Sequence, residues 1–290
     1  MKQLLIISGK GGTGKTTVAA AFIELAKAEA YADCDVDAPN LHLVLQQRTP
    51  PHSDDYYGLC KAQINTVLCN RCGICIENCR FDAISYQDNY HVDPYLCEGC
   101  ALCQNTCPGG AITMEPSAAG KLKLYADNKT VFSTAKLNMG SGNSGKLVSE
   151  VKNRLKTNAS TQPLTIIDGS PGIGCPVIAS MSGVDLALIV TEPSVSGISD
   201  LKRILATARQ FGVTTAVCVN KADINQKLSK EIIDYCQQND IPFVGTIPFD
   251  QSVVTAVNMG KSIIAFDGAA AQAIKIIYQR TINLLFNSTK

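Results

Sequence analysis

The start of the chain decides the fold, because residues 4–17 read LLIISGKGGTGKTT. The apolar first part predicts a short strand that is buried on both faces, as the strands of parallel sheets are. The rest matches the pattern G-x-x-x-x-G-K-[ST], and a helical pattern follows over residues 16–28. Glycines let backbone N–H groups face an anion, and a helix N-terminus adds partial positive charge. The stretch therefore predicts a loop that binds the phosphates of a nucleoside triphosphate.

Two residues of this loop are expected to carry the phosphate chemistry. Lys15 should reach the β- and γ-phosphates, and the hydroxyl of Thr16 should ligate Mg²⁺. The other residues predicted to contact the nucleotide here are Gly9, Lys10, Gly11, Gly12, Thr13, Gly14 and Thr17. Residues 140–146 repeat part of the pattern, but Leu147 offers no hydroxyl, so they predict only a loop before a helix.

Strands and helices alternate through most of the remaining chain. A second strand is predicted at Ala30–Asp33. After an interruption, strands are predicted over residues 164–168, 184–191, 213–219 and 241–247, and helices over residues 145–156, 197–210, 226–238 and 269–286. Repeated strand–helix units predict an α/β fold with a doubly wound, mostly parallel sheet covered by helices on both faces.

The interruption is rich in cysteine. Eight of the 13 cysteines form two runs with the spacing C-x₂-C-x₂-C-x₃-C, which is typical of bacterial ferredoxins with two [4Fe–4S] clusters. In that arrangement the fourth cysteine of each run ligates the cluster of the other run. One cluster would use Cys69, Cys72, Cys75 and Cys107, and the other would use Cys97, Cys100, Cys103 and Cys79.

This segment predicts a small α+β, ferredoxin-like domain inserted at residues 58–116, with a hairpin over residues 84–92. The nucleotide-binding domain would then comprise residues 1–57 and 117–290. Two zinc sites are the alternative, but zinc modules usually pair C-x-x-C units across a longer gap. Arg80 stands where ferredoxins usually have proline, and this departure removes no ligand.

Carboxylates follow two of the predicted strands. Asp168 closes the strand at residues 164–168, a position from which a rigid strand presents an oxygen to Mg²⁺ or its water shell. Asp33, Asp35 and Asp37 follow the second strand. Carboxyl ends of parallel strands therefore supply the predicted acidic groups.

The string KGGTGKTT at residues 10–17 resembles the deviant Walker A motif of the MinD/ParA and nitrogenase iron-protein superfamily. In that superfamily the first lysine crosses a dimer interface to the partner's phosphates, so the resemblance implies a catalytic Lys10 and a nucleotide-sandwich dimer. Residues 33–41 look like its D-x-D…N-L segment. The resemblance implies that Asp33 orients or deprotonates the attacking water and that Asp35 lies near Mg²⁺, with Asp37 able to compete for either role.

Two later segments of the sequence contain the residues that are predicted to contact the base. Asn220-Lys221-Ala222-Asp223 taken alone suggests guanine recognition, but an asparagine at this place serves adenine in the resembled superfamily. Pro248 and Asp250 lie in a string that resembles its base-contacting loop. ATP is therefore favoured over GTP.

Composition argues against several other classes of protein. The 26 basic and 25 acidic residues give a net charge of +1, without the basic footprint of a nucleic-acid binder or of a membrane-surface protein. No apolar stretch suits a signal peptide or a transmembrane helix. A cytoplasmic protein is expected, in which clustered C-x-x-C units indicate metal binding rather than disulfides.

Taken whole, the chain resembles MinD-superfamily ATPases with an inserted ferredoxin domain, of the orange protein complex type. The resemblance implies a slow, partner-stimulated ATPase whose dimer is homomeric or formed with a paralogue. Its function would be nucleotide-controlled electron transfer to, or metal-cofactor maturation on, a partner protein. An Mrp-type carrier of iron–sulfur clusters is the alternative, although a C-terminal C-x-x-C is missing. MinD-like membrane positioning is a third hypothesis, although a C-terminal basic amphipathic helix is missing.

Overall fold

The computed structural model describes residues 2–47, 49–159 and 162–287. The chain forms two compact units. The first unit comprises Met1–His52, Lys123–Ala135 and Gly145–Lys290, and the second comprises Ser53–Leu122 and Lys136–Ser144.

Strands and helices have the following bounds. The strands are β1 (Lys2–Ser8), β2 (Ala30–Asp33), β3 (His52–Tyr57), β4 (Lys61–Ile64), β5 (Ile84–Gln87), β6 (Asn89–Val92), β7 (Ile112–Glu115), β8 (Ala118–Ala126), β9 (Val131–Leu137), β10 (Leu164–Pro171), β11 (Leu186–Thr191), β12 (Thr214–Asn220) and β13 (Phe243–Ile247). The α-helices are α1 (Lys15–Ala26), α2 (Leu41–Val44), α3 (Ile74–Asn78), α4 (Leu102–Thr106), α5 (Ser144–Asn158), α6 (Cys175–Met181), α7 (Val195–Gln210), α8 (Gln226–Gln238), α9 (Gln251–Asn258) and α10 (Ala269–Asn287).

A parallel sheet organises the first unit, with the strand order β13-β12-β11-β1-β10-β2-β9. Strand β1 lies between β10 and β11 and is parallel to both. Strands β10, β2 and β9 are parallel to one another, as are β11, β12 and β13. The predicted α/β fold with a mostly parallel sheet is confirmed.

The apolar run at the start of the chain explains why β1 is central. Leu4 and Ile6 pack into a core with Phe22 of α1 and Ile274 of α10. Leu5, which points to the other face of the pleat, is equally inaccessible to solvent. Burial of both faces at about 25 cal/mol per Å² of apolar surface favours this strand at the centre of the sheet over an edge position.

The second unit contains two short helices and two antiparallel strand pairs. Strand β4 pairs with β7, and β5 pairs with β6 in the predicted hairpin. Cys75, Cys97, Ile84 and Ile112 are among the buried residues of its small core. Cysteine side chains thus take the place of aliphatic residues in a core that few large apolar side chains fill.

The second unit is an internal repeat with an offset of 28 positions. Adding 28 to the residue numbers of β4, α3 and β5 gives those of β6, α4 and β7. The halves exchange their strands, because β4 of the first half pairs with β7 of the second, and β6 pairs with β5. Matching backbone bonds join Asn65 N to Ala111 O and Asp93 N to Ala83 O, each at 2.8 Å. Neither half can complete its own strand pairing.

The observed elements correct some expectations. Helix α5 begins at Ser144, so the end of the 140–146 segment is helical and not a loop. Strand β3 and the short helices α2, α6 and α9 were not expected from the sequence. None of the described residues forms a helix long and apolar enough to cross a bilayer.

The second unit should tolerate no side chain at Gly99. Its φ is +70°, and a Cβ there would lie 2.4 Å from the carbonyl oxygen of Cys60. Gly99→Ala should destabilise the second unit by more than the ~1–2 kcal/mol expected for left-handed backbone strain alone. Hydrogen exchange of the β4–β7 amides measures this effect. Gly110→Ala is the control, because Gly110 has φ +57° and open space around it. Equal losses in both variants would contradict the crowding argument.

Candidate functional site

The loop between β1 and α1 brings the predicted phosphate and magnesium residues together. The side chain of Lys15 is buried, and its Nζ lies 2.6 Å from Asp168 Oδ1 and 3.9 Å from Asp35 Oδ2. The hydroxyl of Thr16 donates a hydrogen bond to Asp168 Oδ2 at 2.7 Å. Three residues are predicted beside Mg²⁺. Thr16 and Asp168 are in direct contact at the carboxyl end of the sheet, and Asp35 lies beside Lys15.

Asp33 faces Asp168 across adjacent strands. The two residues are register partners in β2 and β10, and both are completely buried. Backbone N–H groups donate to the Asp33 carboxylate from Asp35 at 3.0 Å and from Asn40 and Leu41 at 2.9 Å. Burial, and then the negative charge of Asp168, raise the pKa of Asp33 to about 7. A carboxylate held in one orientation with a pKa near neutrality suits a general base.

The charges of this site do not balance without a further cation. Burial alone would lower the pKa of Lys15, but Asp168 and the two other carboxylates outweigh it, so that pKa is raised. One ammonium group thus faces the carboxylates of Asp33, Asp35 and Asp168. The side chain of Asp35 is only 13% exposed, and this burial raises the pKa of its carboxyl group. A divalent cation would offset the excess of carboxylates.

The carboxylates do not form a closed metal cage. No three His, Cys, Asp or Glu side chains within residues 2–47, 49–159 and 162–287 converge in a way that could hold a metal ion. Mg²⁺ at nucleotide sites usually takes one or two carboxylates and completes its shell with phosphate oxygens and water. Thr16 and Asp168 fit that open arrangement.

Lys10 is paired within its own chain. Its Nζ lies 2.6 Å from Glu192 Oε1 and donates to the hydroxyls of Ser196 at 3.1 Å and Ser194 at 3.3 Å. The same carboxylate lies 3.5 Å from Lys221 Nζ, which also donates to the carbonyl of Gly12 at 3.1 Å. Burial works to raise the pKa of Glu192, but the two ammonium groups outweigh it and hold that pKa below its ordinary value.

Asn220 binds the loop itself. Its Nδ2 donates to the carbonyl of Thr13 at 2.7 Å, and its Oδ1 accepts from Lys221 N at 2.9 Å. Gly14 has φ +89°, and a Cβ there would lie 2.3 Å from Asn220 Nδ2. The glycine is needed both for the backbone conformation and for the approach of the asparagine.

The predicted base-side residues have structural roles in this chain. Asp223 Oδ1 accepts from the backbone N–H of Phe249 at 2.7 Å. The Asp250 carboxylate caps α9 through Ser252 N at 2.9 Å and accepts from Ala270 N at 3.1 Å. Pro248 lies in the short link between β13 and α9.

The segment after Asp168 is connected to α5. It ends at Cys175, an exposed residue that begins α6. Gly145 in the first turn of α5 lies so close that a Cβ on it would be 3.2 Å from Cys175 Cβ. Lys152 of the same helix donates to the carbonyls of Ser180 at 2.7 Å and Ala179 at 3.3 Å. Helix α5 therefore contacts both ends of α6.

The cysteines of the second unit are arranged around its core. Cys69, Cys72, Cys75 and Cys107 line one cavity, and the backbone N–H of Ala111 donates to Cys107 Sγ at 3.3 Å. Burial raises the pKa of Cys75, and the nearby Cys69 and Cys72 raise it further.

The other run has the same local arrangement. Burial raises the pKa of Cys103, and the nearby Cys97 and Cys100 raise it further. Cys79 packs against the same core as Cys97 and Cys103. In neither set do the thiols converge on one point in the described chain.

Comparison with known proteins identifies the family. Residues 4–263 match the CobQ/CobB/MinD/ParA nucleotide-binding domain family, and the chain belongs to it. The uncharacterized protein MJ0578 of Methanocaldococcus jannaschii is 32% identical over 96% of this chain and 95% of its own length. The uncharacterized ATP-binding protein MJ0547 of the same organism is 25% identical over 98% of this chain and 89% of its own length.

Solved structures show the same fold. MinD of Pyrococcus horikoshii, complexed with Mg-ADP, superposes with a TM-score of 0.58 at 17% identity, covering 100% of this chain and 99% of its own. An ATP complex of a Cyanothece McdA variant superposes with a TM-score of 0.58 at 18% identity, covering 100% and 98%. The nucleotide-binding fold is therefore that of MinD-like ATPases.

The role of Asp33 can be tested by its protonation. If Asp33 accepts a proton from the attacking water, Asp33→Asn should lower kcat for ATP hydrolysis by about 10²–10⁴-fold. In the unaltered protein kcat/KM should rise with pH through about 7, because the carboxyl must be ionised to act as a base. Asp37→Asn is the matched control, since Asp37 is exposed. A large loss in Asp37→Asn with none in Asp33→Asn would assign the base to Asp37 instead.

Proposed function

We propose that this protein is an ATP-dependent iron–sulfur protein. ATP binding and hydrolysis in the first unit would drive a dimer switch, and that switch would control electron transfer to, or metal-cofactor maturation on, a partner protein. The observation that carries the proposal is the strand-exchanged repeat of the second unit. In this unit Cys107, from the second cysteine run, lines the same cavity as three cysteines of the first run.

The strand exchange supports the exchanged cysteine assignment. Cys79 and Cys107 each follow a short helix with nearly the same backbone angles, φ −74° and −75°. The cavity that contains Cys69, Cys72 and Cys75 also contains Cys107, the last cysteine of the other run. Bacterial two-cluster ferredoxins place their fourth ligands in this way. Residues 58–116 would then form a ferredoxin-like domain.

The donor set favours iron–sulfur clusters over zinc. Each proposed site has four thiols, three of them within one seven-residue run, which suits a loop that wraps three corners of a cube. The N–H···S bond to Cys107 would stabilise negative charge on a cluster sulfur ligand. Bound clusters would supply one-electron redox chemistry, and the thiols and backbone of this chain would hold and orient them.

The base side of the site supports ATP as the nucleotide. Two residues of the N-K-x-D string have contacts within the chain, since Asn220 donates to the carbonyl of Thr13 and Asp223 accepts from Phe249 N. MJ0547 is named as ATP-binding, and similar solved structures contain Mg-ADP, ATP or AMPPNP, which are all adenine nucleotides. Lys15, Thr16 and Asp168 would bind the Mg²⁺ complex, and Asp33 would take the proton of the attacking water.

Helix α5 offers a path from the nucleotide to the second unit. Two residues of α5 meet α6: Gly145 lies beside Cys175, and Lys152 donates to the carbonyl of Ser180. Helix α6 follows the segment that begins at Asp168. The chain immediately before Gly145, Lys136–Ser144, belongs to the second unit. A movement of the segment after Asp168 would therefore act on the helix to which the last segment of the cysteine-bearing unit is joined along the chain.

The partner of the switch would be a second ATPase chain, either a copy of this one or a paralogue. In this proposal Lys10 contacts the partner's phosphates, since its ammonium group makes an exposed hydrogen bond outside the loop. Closure of such a dimer would depend on ATP, because the phosphates of each nucleotide attract the lysine of the other chain.

Iron analysis of anaerobically purified protein tests the cluster assignment. About eight irons and eight sulfides per chain are expected, since each of two clusters contains four of each. Cys107→Ser should lower the content toward four and should alter the cluster of the first run. The matched control is Cys60→Ser, because Cys60 lies in the second unit outside both runs. One or two zinc ions per chain with no iron would contradict the cluster assignment.

A further inference from the structure

Lys10 has an unusually complete set of acceptors for a loop lysine. An ammonium group has three hydrogens, and Glu192, Ser194 and Ser196 place three oxygens at 2.6, 3.3 and 3.1 Å from Nζ. The pair is partly shielded, with side-chain exposures of 33% for Lys10 and 19% for Glu192. Every hydrogen of this ammonium therefore has a partner within its own chain.

The acceptors are held firmly by the turn between β11 and α7. Ser194 caps α7 by accepting from Gly197 N at 3.0 Å, and its own N–H donates to the carbonyl of Glu192 at 2.8 Å. Gly197 permits this turn, because a Cβ there would lie 2.4 Å from the Glu192 carbonyl oxygen. The helix also abuts the loop, since a Cβ on Gly9 would lie 2.3 Å from Asp200 Cβ. Lys10 is thus bonded to a fixed surface.

Glu192 also pairs with a second cation, which contacts the loop from the end of β12. Lys221 lies 3.5 Å from the other carboxylate oxygen and donates to the carbonyl of Gly12. One carboxylate consequently connects residues 10 and 12 of the loop through two ammonium groups. Loss of its negative charge would weaken both connections at once.

The contacts of Lys10 conflict with its proposed task in the dimer. All three hydrogens of the ammonium have acceptors within its own chain, so Lys10 can donate to the nucleotide of the partner only if at least one of these contacts is broken. We propose that Glu192, Ser194 and Ser196 form an intramolecular latch that holds Lys10 in the separate chain, and that release of this latch opposes ATP-dependent dimer formation. The inference rests on the proposed function, in which Lys10 acts across the dimer.

The latch has a regulatory consequence. In the separate chain the latch keeps Lys10 on its own acceptors, so dimer formation must first break contacts that the chain already makes. The phosphates of the partner's nucleotide must compete with Glu192 for the same ammonium. Dimer formation therefore becomes more sensitive to the triphosphate, whose γ-phosphate adds the charge needed to win that competition.

Glu192→Gln tests the latch while preserving the size of the side chain. The dissociation constant of the dimer, measured by sedimentation equilibrium with Mg²⁺ and a non-hydrolysable ATP analogue, should fall at least threefold. Ser196→Ala, which removes one acceptor, should shift it in the same direction by less. Glu231→Gln is the matched control, because Glu231 is exposed on α8, and it should leave the constant unchanged.

The Lys10→Ala background separates this inference from the proposed function. If Lys10→Ala dimerises and hydrolyses ATP like the unaltered protein, the lysine has no role across the dimer and the proposed switch fails. If Lys10→Ala is defective but Glu192→Gln and Ser196→Ala dimerise no better than the unaltered protein, the latch is overturned and the switch stands. Tighter dimerisation by Glu192→Gln that persists in the Lys10→Ala background also overturns the latch. Its loss in that background supports it.

Discussion

The buried ion pair between Lys15 and Asp168 is the interaction on which the nucleotide site depends. It joins the first residue of α1 to the strand beside β1, and Asp33 lies opposite on the next strand. Three buried or half-buried carboxylates around one ammonium would repel one another strongly in a medium that screens little. Burial, and after it the negative charge of Asp168, raises the pKa of Asp33. The fold therefore maintains, at the carboxyl edge of its central strands, a site that favours the arrival of a cation bound to phosphate.

A second constraint acts in the cysteine-bearing unit. Each half of the 28-residue repeat supplies a strand to the other half, so the two halves fold only as a pair. Crossed cysteine ligation would impose the same dependence on the proposed clusters. The agreement between strand exchange and the position of Cys107 explains why one cavity draws its lining from both runs.

Much of the fold and site could be predicted from the sequence because the signals are local. The glycine loop, the cysteine spacing and the strand Ala30–Asp33 are each encoded within a few residues, and helix 226–238 has a clear period and an Asn225 cap. Asp33 and Asp168 could be predicted singly, but their pairing across β2 and β10 needed the strand order. Asp250 was expected to contact the base. In the structure it accepts from Ser252 N as the N-cap of α9. An aspartate two residues before a serine is also typical of a helix N-cap, so the sequence could have predicted this role.

The remaining features depend on contacts between distant segments. Glu192 and the two serines follow β11, and nothing in their own string indicates that they lie beside Lys10, more than 180 positions earlier. The only sequence signal is their position, since polar residues at the carboxyl end of a parallel strand often reach the ligand site. Lys152 was likewise invisible, because its three carbonyl partners belong to the end of another helix.

We propose that the nucleotide state of the first unit affects the clusters proposed for the second unit. An EPR-monitored reductive titration of the anaerobic holoprotein, with Mg-ADP and with a magnesium complex of a non-hydrolysable ATP analogue, measures this most directly. The two nucleotides should give different midpoint potentials or line shapes, and Lys152→Met should reduce the difference while exposed Lys156→Met should not. Identical spectra and potentials with both nucleotides, in protein shown to be dimeric with the analogue, would contradict it.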